Sequence, residues 1–274
     1  MNTPATADLI PPVLLVGGGR MGGAMLAGWR ERGLAPSVLV DPAPGAAALA
    51  GPDLTVVAGA GAIPDGFSPA AVVLAVKPQS AAAALPDYAR YAGSAVFLSI
   101  MAGRTIAGMA ALLGANAAVV RAMPNTPAAV RQGITVYCPG LGVTAAQTAL
   151  CGLLLEAIGQ VAMITDEGLL DAVTAVSGSG PAYVFLLAEL MEQAALRQGI
   201  PAPLARQLAR KTVAGSGALL AASTEDAAAL RKAVTSPGGT TQAALSVLMD
   251  ASAWPANLDA AIAAATRRSR ELAG

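Results

Sequence analysis

Val13-Leu14-Leu15-Val16-Gly17-Gly18-Gly19-Arg20-Met21-Gly22 joins an apolar run to a cluster of glycines. Four consecutive apolar residues read as a short buried strand. Spaced glycines follow at once. Residues 21–32 then read as a helix that stops at Gly33. A lone G-x-G-x-x-G says little, but a strand feeding a helix through it is the context that gives it weight. Gly17 allows the tight turn, Gly19 lets the backbone approach a pyrophosphate, and Gly22 lets the helix pack on its strand. A glycine-rich turn that holds no ligand stands as the alternative.

Outward from this stretch the pattern repeats. Ser37–Val40, Leu54–Val57, 71–76, 95–100 and 117–121 are further strand candidates, and 105–113 reads as helix. The alanine-rich stretch 43–50 reads as a helix former. Alternation at this spacing implies βαβ units and a parallel sheet, hence an α/β, Rossmann-like doubly wound domain. Beyond Thr165-Asp166 the β-type runs largely disappear. Helices are expected over 181–198, 203–222, 242–250 and 257–272. The expected division is a dinucleotide-binding domain at 1–164 and an all-α domain at 165–274. Residues 1–12 read as a loose tail, and no internal repeat is found.

Composition narrows the function. The 274 residues are 55% hydrophobic and 12% charged, enough for two ordinary domains with cores. Formal net charge is zero, so no basic footprint points to nucleic acid or to a membrane surface. The apolar stretches 138–155 and 172–188 are interrupted by Pro139-Gly140 and by Ser177-Gly178-Ser179-Gly180-Pro181, and neither reads as a membrane span. No basic segment precedes Ile10-Pro11-Pro12, so no signal peptide is read. Two cysteines, Cys138 and Cys151, fit a reducing cytoplasm. There is no histidine, which excludes a Ser-His-Asp or Cys-His triad and any His-ligated metal site. Chemistry here needs either a cofactor or little acid–base help, and no metal is expected.

Val234-Thr235-Ser236-Pro237-Gly238-Gly239-Thr240-Thr241 is the second informative string. Hydroxyls, a proline and two glycines precede a helical run, which is how a helix start that holds an anion is built. An ordinary capped turn is the alternative. Asp41 ends the second strand about 20 residues after the glycines, where an acidic residue accepts from the ribose of NAD and repels a 2′-phosphate. No arginine follows nearby, so Asp41 tilts the reading toward NADH over NADPH. Otherwise Asp41-Pro42 simply opens a turn. Ala75-Val76-Lys77-Pro78 and the segment through Ala102 and Gly103 follow strand C-termini, the edge where ligands bind in open α/β sheets. Asn125 sits between two prolines, either as part of a rigid turn or as an amide facing a ligand. Ser177 to Pro181 is a glycine-rich helix entry, read equally as close packing or as function.

Taken together, these stretches resemble the pyrroline-5-carboxylate reductase family: the glycine loop at 17–22, 75–78, 121–128, 176–185 and, most specifically, 234–241. The resemblance implies reduction of the cyclic imine 1-pyrroline-5-carboxylate to L-proline by NADPH or NADH. It also implies a helical dimerisation domain behind the Rossmann domain, dimers that often assemble into decamers, and an active site formed between the Rossmann domain and helices of the dimer. Carried over, Ser236, Gly238, Gly239 and Thr240 hold the substrate carboxylate, and Thr241 is the catalytic hydroxyl facing the ring nitrogen. Gly17, Gly19, Arg20, Met21, Gly22, Asp41, Ala75, Val76, Lys77, Pro78, Ala102, Gly103 and Asn125 line the cofactor. Two departures concern the cofactor. The family's Asn near the third strand is replaced by Ala58-Gly59-Ala60-Gly61-Ala62, and the NADPH-suited pair after the second strand by Asp41-Pro42.

Two competing readings are weighed. A β-hydroxyacid-type dehydrogenase needs a lysine acid–base with Asn four residues on, and none of Lys77, Lys211 and Lys232 has one. A non-catalytic nucleotide-sensing module explains the glycine loop but not a second anion site at 236–241.

Overall fold

A computed structural model describes residues 9–273. The chain divides into two compact units, Met1–Gly178 with Ala265–Gly274, and Ser179–Ala264.

The first unit carries an eight-stranded sheet: β1 (Val13–Val16), β2 (Ser37–Val40), β3 (Leu54–Val57), β4 (Ala71–Leu74), β5 (Val96–Ser99), β6 (Ala118–Met123), β7 (Gly133–Pro139) and β8 (Gly159–Met163). Its order is β3-β2-β1-β4-β5-β6-β7-β8. The first six strands are parallel, in the doubly wound order of a Rossmann domain. β7 runs antiparallel to β6, and β8 parallel to β7. The helices of this unit are α1 (Arg20–Arg32), α2 (Ala81–Ala84), α3 (Ile106–Leu113), α4 (Ala145–Glu156) and α5 (Leu169–Val173).

Alternate residues of each strand feed two separate cores. Leu15, Leu39, Val73 and Leu98 pack with Met25, Leu26 and Trp29 of α1 and Leu154 and Leu155 of α4. Leu14, Val38, Val72 and Phe97 pack with Ala81 of α2, Met109 and Leu113 of α3, and the 3-10 turn Leu85–Tyr91. β1, β2, β4 and β5 are buried on both faces, which is why their sequences are apolar apart from Ser37 and Ser99 at two strand ends. Each such side chain contributes about 1.5–3 kcal/mol on burial. Trp29 also donates from Nε1 to the Leu154 carbonyl at 2.8 Å, fixing α1 against α4. Thr144 and Gln147 cap the start of α4 reciprocally.

The second unit is entirely helical among the described residues: α6 (Gly180–Arg197), α7 (Ala202–Ala222), α8 (Ala227–Ala233), α9 (Thr240–Leu248) and the beginning of α10 (Trp254–Ala273). Ala205 and Ala209, one turn apart, are the buried residues of α7. Much apolar surface stays exposed, including Phe185, Leu219, Val247 and Trp254.

Several expectations are corrected. The expected 164/165 boundary and the compact units differ. Residues 165–178 stay with the sheet because Leu170 is fully buried beside Val136 and Cys138, and because Glu167 ties to Arg121 and to the Ile106 N–H. The end of α10 returns to the same unit, where Ser269 Oγ donates to Asp171 Oδ1 at 2.7 Å. Ser177 to Pro181 is the expected helix entry: after a bend at Ser179, α6 begins at Gly180 with Pro181 in its first turn. A π-helical turn, Thr174–Gly178, precedes it, and within Leu169–Arg197 an 18-residue stretch has a mean hydropathy of 1.3, long and apolar enough by composition to cross a membrane. The 43–50 stretch forms a 3-10 turn, Pro44–Leu49, after Asp41-Pro42. Within the expected tail, Ile10 is fully buried and joins Gly33 and Ala35 through its backbone; residues 1–8 lie outside the described residues.

Candidate functional site

The sheet order reverses between β1 and β4, and the glycine loop leaves β1 at this switch point. Gly17 has φ +100, and a Cβ there would lie 2.7 Å from the Ala75 carbonyl oxygen, so only glycine fits. A Cβ on Gly22 would collide with the Gly17 carbonyl, whereas a Cβ on Gly19 would meet nothing within 4 Å. The first and third glycines are therefore required by packing, and the second faces open space. No side chain caps α1 at Gly19. Among the described residues the N–H groups of Arg20, Met21 and Gly22 have no acceptor. A helix N-terminus with unpartnered amides and an open approach fits a pyrophosphate.

Asp41 stands beside this loop. Its Oδ2 accepts from the Gly18 N–H at 2.6 Å and its Oδ1 from the Ala43 N–H at 2.8 Å. The carboxylate is held in place and keeps lone pairs for a further donor. After β4, Ala75 and Val76 are half-buried, and Lys77 is exposed. Arg104 donates from Nε and Nη2 to the Pro78 carbonyl at 3.0 and 2.8 Å, which fixes this segment. Ala102 and Gly103 follow β5, and Gly103 is wedged against Leu272. Asn125 follows β6, where its Oδ1 accepts from the Ile134 N–H at 3.0 Å and its Nδ2 donates to Ser177 Oγ at 3.2 Å. Its amide thus braces the loop and the π-turn, with one donor and one acceptor position left over.

In the second unit, residues 236–239 form a turn closed by the Gly239 N–H on the Ser236 carbonyl at 3.1 Å. Gly238 has φ +71. A Cβ on Gly239 would sit 2.6 Å from Ser236 Oγ, so the hydroxyl occupies that space over the helix start. α9 begins at Thr240 with no side-chain cap on Gly239. The N–H groups of Thr240 and Thr241, and the hydroxyls of Ser236, Thr240 and Thr241, have no intramolecular partner among the described residues. Of the residues expected to hold a carboxylate, Ser236, Thr240 and Thr241 gather here with donors available, whereas the Gly238 and Gly239 N–H groups are taken by Gln242 Oε1 and the Ser236 carbonyl.

Each unit brings together its own part of the expected site. Gln242 was not foreseen: its Oε1 accepts the Gly238 N–H at 2.6 Å. The signal was present, since Gln three residues after an N-cap is the capping-box position. Arg104 and Ser177 had no local signal, because their partners are distant in sequence.

Residues 12–103 match the model of the NADP oxidoreductase family, coenzyme F420-dependent, and residues 167–272 match the pyrroline-5-carboxylate reductase dimerisation domain. A pyrroline-5-carboxylate reductase of Pseudomonas aeruginosa is 38% identical over 269 residues, covering 96% of this chain and 97% of the relative. The chain belongs to the pyrroline-5-carboxylate reductase family. A Mycobacterium tuberculosis reductase is 37% identical, covering 95% of this chain and 96% of the relative. Among solved structures, the Coxiella burnetii reductase aligns with TM-score 0.89 at 28% identity, over 97% of this chain and 99% of that one. The Plasmodium falciparum enzyme with NADP bound aligns with TM-score 0.81 at 25% identity, over 98% and 100%. The apolar exposure of α6 and α7 thus lies in the region that matches a dimerisation domain, and so does the whole apolar run Leu169–Arg197.

Proposed function

We propose that this protein reduces 1-pyrroline-5-carboxylate to L-proline, the final step of proline biosynthesis. The observation that carries the reading is the α9 start, where three hydroxyls and two amides without intramolecular partners gather at a helix N-terminus in a chain of this family. A substrate carboxylate there gains about 0.3–2 kcal/mol from the helix dipole, besides its hydrogen bonds. A bound nicotinamide cofactor supplies the hydride. Gly19, Arg20, Met21 and Gly22 hold its pyrophosphate through backbone N–H groups, and 75–78, Ala102, Gly103 and Asn125 line its nicotinamide end.

The chemistry suits a chain without histidine. A protonated imine is already electrophilic, so the protein mainly has to orient the imine carbon, and orientation supplies roughly 7–11 kcal/mol. The half-buried Thr241 hydroxyl hydrogen-bonds the ring nitrogen as it changes from iminium to amine. Asp41 favours NADH. Its carboxylate is fastened to the Gly18 N–H of the glycine loop, and no lysine or arginine occurs between it and Leu49, the end of the 3-10 turn. The exposed apolar residues of α6 and α7 pair with a second copy of the chain, five such dimers form a decamer, and the free thiols Cys138 and Cys151 agree with a cytoplasmic setting.

The test is direct. Purified protein, pyrroline-5-carboxylate and NADH or NADPH are mixed, and the absorbance of the reduced cofactor is followed. Substrate-dependent oxidation, faster with NADH, is expected. No oxidation with either cofactor overturns the reading. Light scattering gives the number of subunits.

A further inference from the structure

Ser236–Gly239 has the marks of a type II turn: Pro237 at its second position, Gly238 at its third with φ +71, and the closing Gly239-to-Ser236 hydrogen bond. Types I and II differ by a flip of the central peptide, here Pro237–Gly238. In one orientation the Gly238 N–H points toward α9; in the other the Pro237 carbonyl oxygen does. Proline at 237 and glycine at 238 suit the observed type, but glycine also tolerates the flipped conformation, so the flip is open to this turn. The Gln242 side chain reaches back along α9, and its Oε1 accepts the Gly238 N–H at 2.6 Å. This bond exists only in the observed orientation. The flipped peptide would aim a carbonyl dipole at the helix start and repel an anion bound there.

We infer that Gln242 is a positioning residue, locking the Pro237–Gly238 peptide so that the α9 start stays receptive to the substrate carboxylate. The inference rests on the reading of 236–241 as the carboxylate site. Gln242 acts through the turn and need not touch the reacting atoms. Its loss lowers the fraction of molecules with a receptive loop, and apparent affinity falls by that fraction. Once substrate is bound the turn is in its working orientation, so turnover is spared.

The test compares wild type with Gln242→Met, which keeps length and helix propensity but has no oxygen acceptor. Wild type is first shown to oxidise NADH or NADPH with pyrroline-5-carboxylate. In Gln242→Met, KM for pyrroline-5-carboxylate rises about tenfold, as expected if about nine-tenths of the loops flip, and kcat stays within about twofold. KM for the cofactor does not change, and the dissociation constant of L-proline, measured by calorimetry, rises in parallel. If Gln242→Met does not fold, as judged by circular dichroism, Gln242→Ala carries the same test. An unchanged KM, or a fall in kcat at constant KM, overturns the inference while leaving the activity assignment in place. An inactive wild type overturns the assignment itself.

Discussion

The Asp41 carboxylate accepts the Gly18 N–H at 2.6 Å across 23 residues of sequence, so the acidic residue that ends β2 is fastened to the loop that leaves β1. The carboxylate cannot swing away from the glycine loop without breaking this bond. Replacing Asp41 by Asn keeps an oxygen for the Gly18 N–H and removes the charge. The ratio of kcat/KM for NADPH to that for NADH is expected to rise about tenfold, the equivalent of roughly 1.4 kcal/mol of relieved repulsion. Steady-state kinetics with both cofactors checks it. An unchanged ratio removes Asp41 from cofactor choice.

The second and third glycines of the loop differ in kind, and a pair of alanine variants separates them. Gly22→Ala drives a methyl into the Gly17 carbonyl and is expected to cost about 3 kcal/mol of stability or more, seen as a lowered denaturation midpoint. Gly19→Ala meets no atom within 4 Å and keeps its midpoint, yet its methyl stands where the cofactor must approach. Cofactor affinity, read by fluorescence titration, falls about tenfold in that variant.

Thr241→Ala tests the catalytic hydroxyl. The side chain has no intramolecular partner among the described residues, so stability should change by less than about 1 kcal/mol. Turnover is expected to fall about ten- to a hundredfold, with Thr241→Ser recovering most of it. Wild-type kinetics in Thr241→Ala would remove the hydroxyl from the mechanism.

Burial pushes the Cys151 thiol up to about 12. Burial also raises the Cys138 thiol, with the nearby Glu167 and Asp166 charges adding to it. The folded state thus favours protonated thiols, whereas an unfolded thiol ionises near 8.5. Their stabilising effect is complete below about pH 8.5 and is lost as pH rises toward 12. At pH 8 neither thiol should react with a disulfide dye until denaturant is added. Between pH 9 and 11 the denaturation midpoint should fall, and fall less in Cys151→Ala. Fast labelling of the native protein at pH 8 would contradict this.

The parallel strands were legible because they are short, mostly apolar runs: Val13–Val16, Ser37–Val40 and Leu54–Val57 appear at their expected bounds, although β3 is an edge strand and only partly buried. The other edge of the sheet was not. β8 alternates between half-buried and exposed residues, and β7 owes its place to pairing with β6 through Arg121 and Cys138, which nothing local announces. Ser177 to Pro181 reads as a helix entry, and α6 does start there at Gly180; what no local signal announces is the π-turn before it, with Gly178 pressed against Met123 and Thr174 bonded to the Leu170 carbonyl. At the candidate site, the glycines and hydroxyls could be read from residue type alone. The bonds that hold them, Asp41 to Gly18, Arg104 to Pro78 and Asn125 to Ser177, join positions 23, 26 and 52 residues apart.

The hydride can be traced from cofactor to product. The protein is incubated with pyrroline-5-carboxylate and nicotinamide cofactor dideuterated at C4, and the product is analysed by mass spectrometry and NMR. The expected product is L-proline carrying one deuterium at C5, the former imine carbon, formed one for one with oxidised cofactor. Unlabelled proline, or no proline at all, would contradict the proposed reduction.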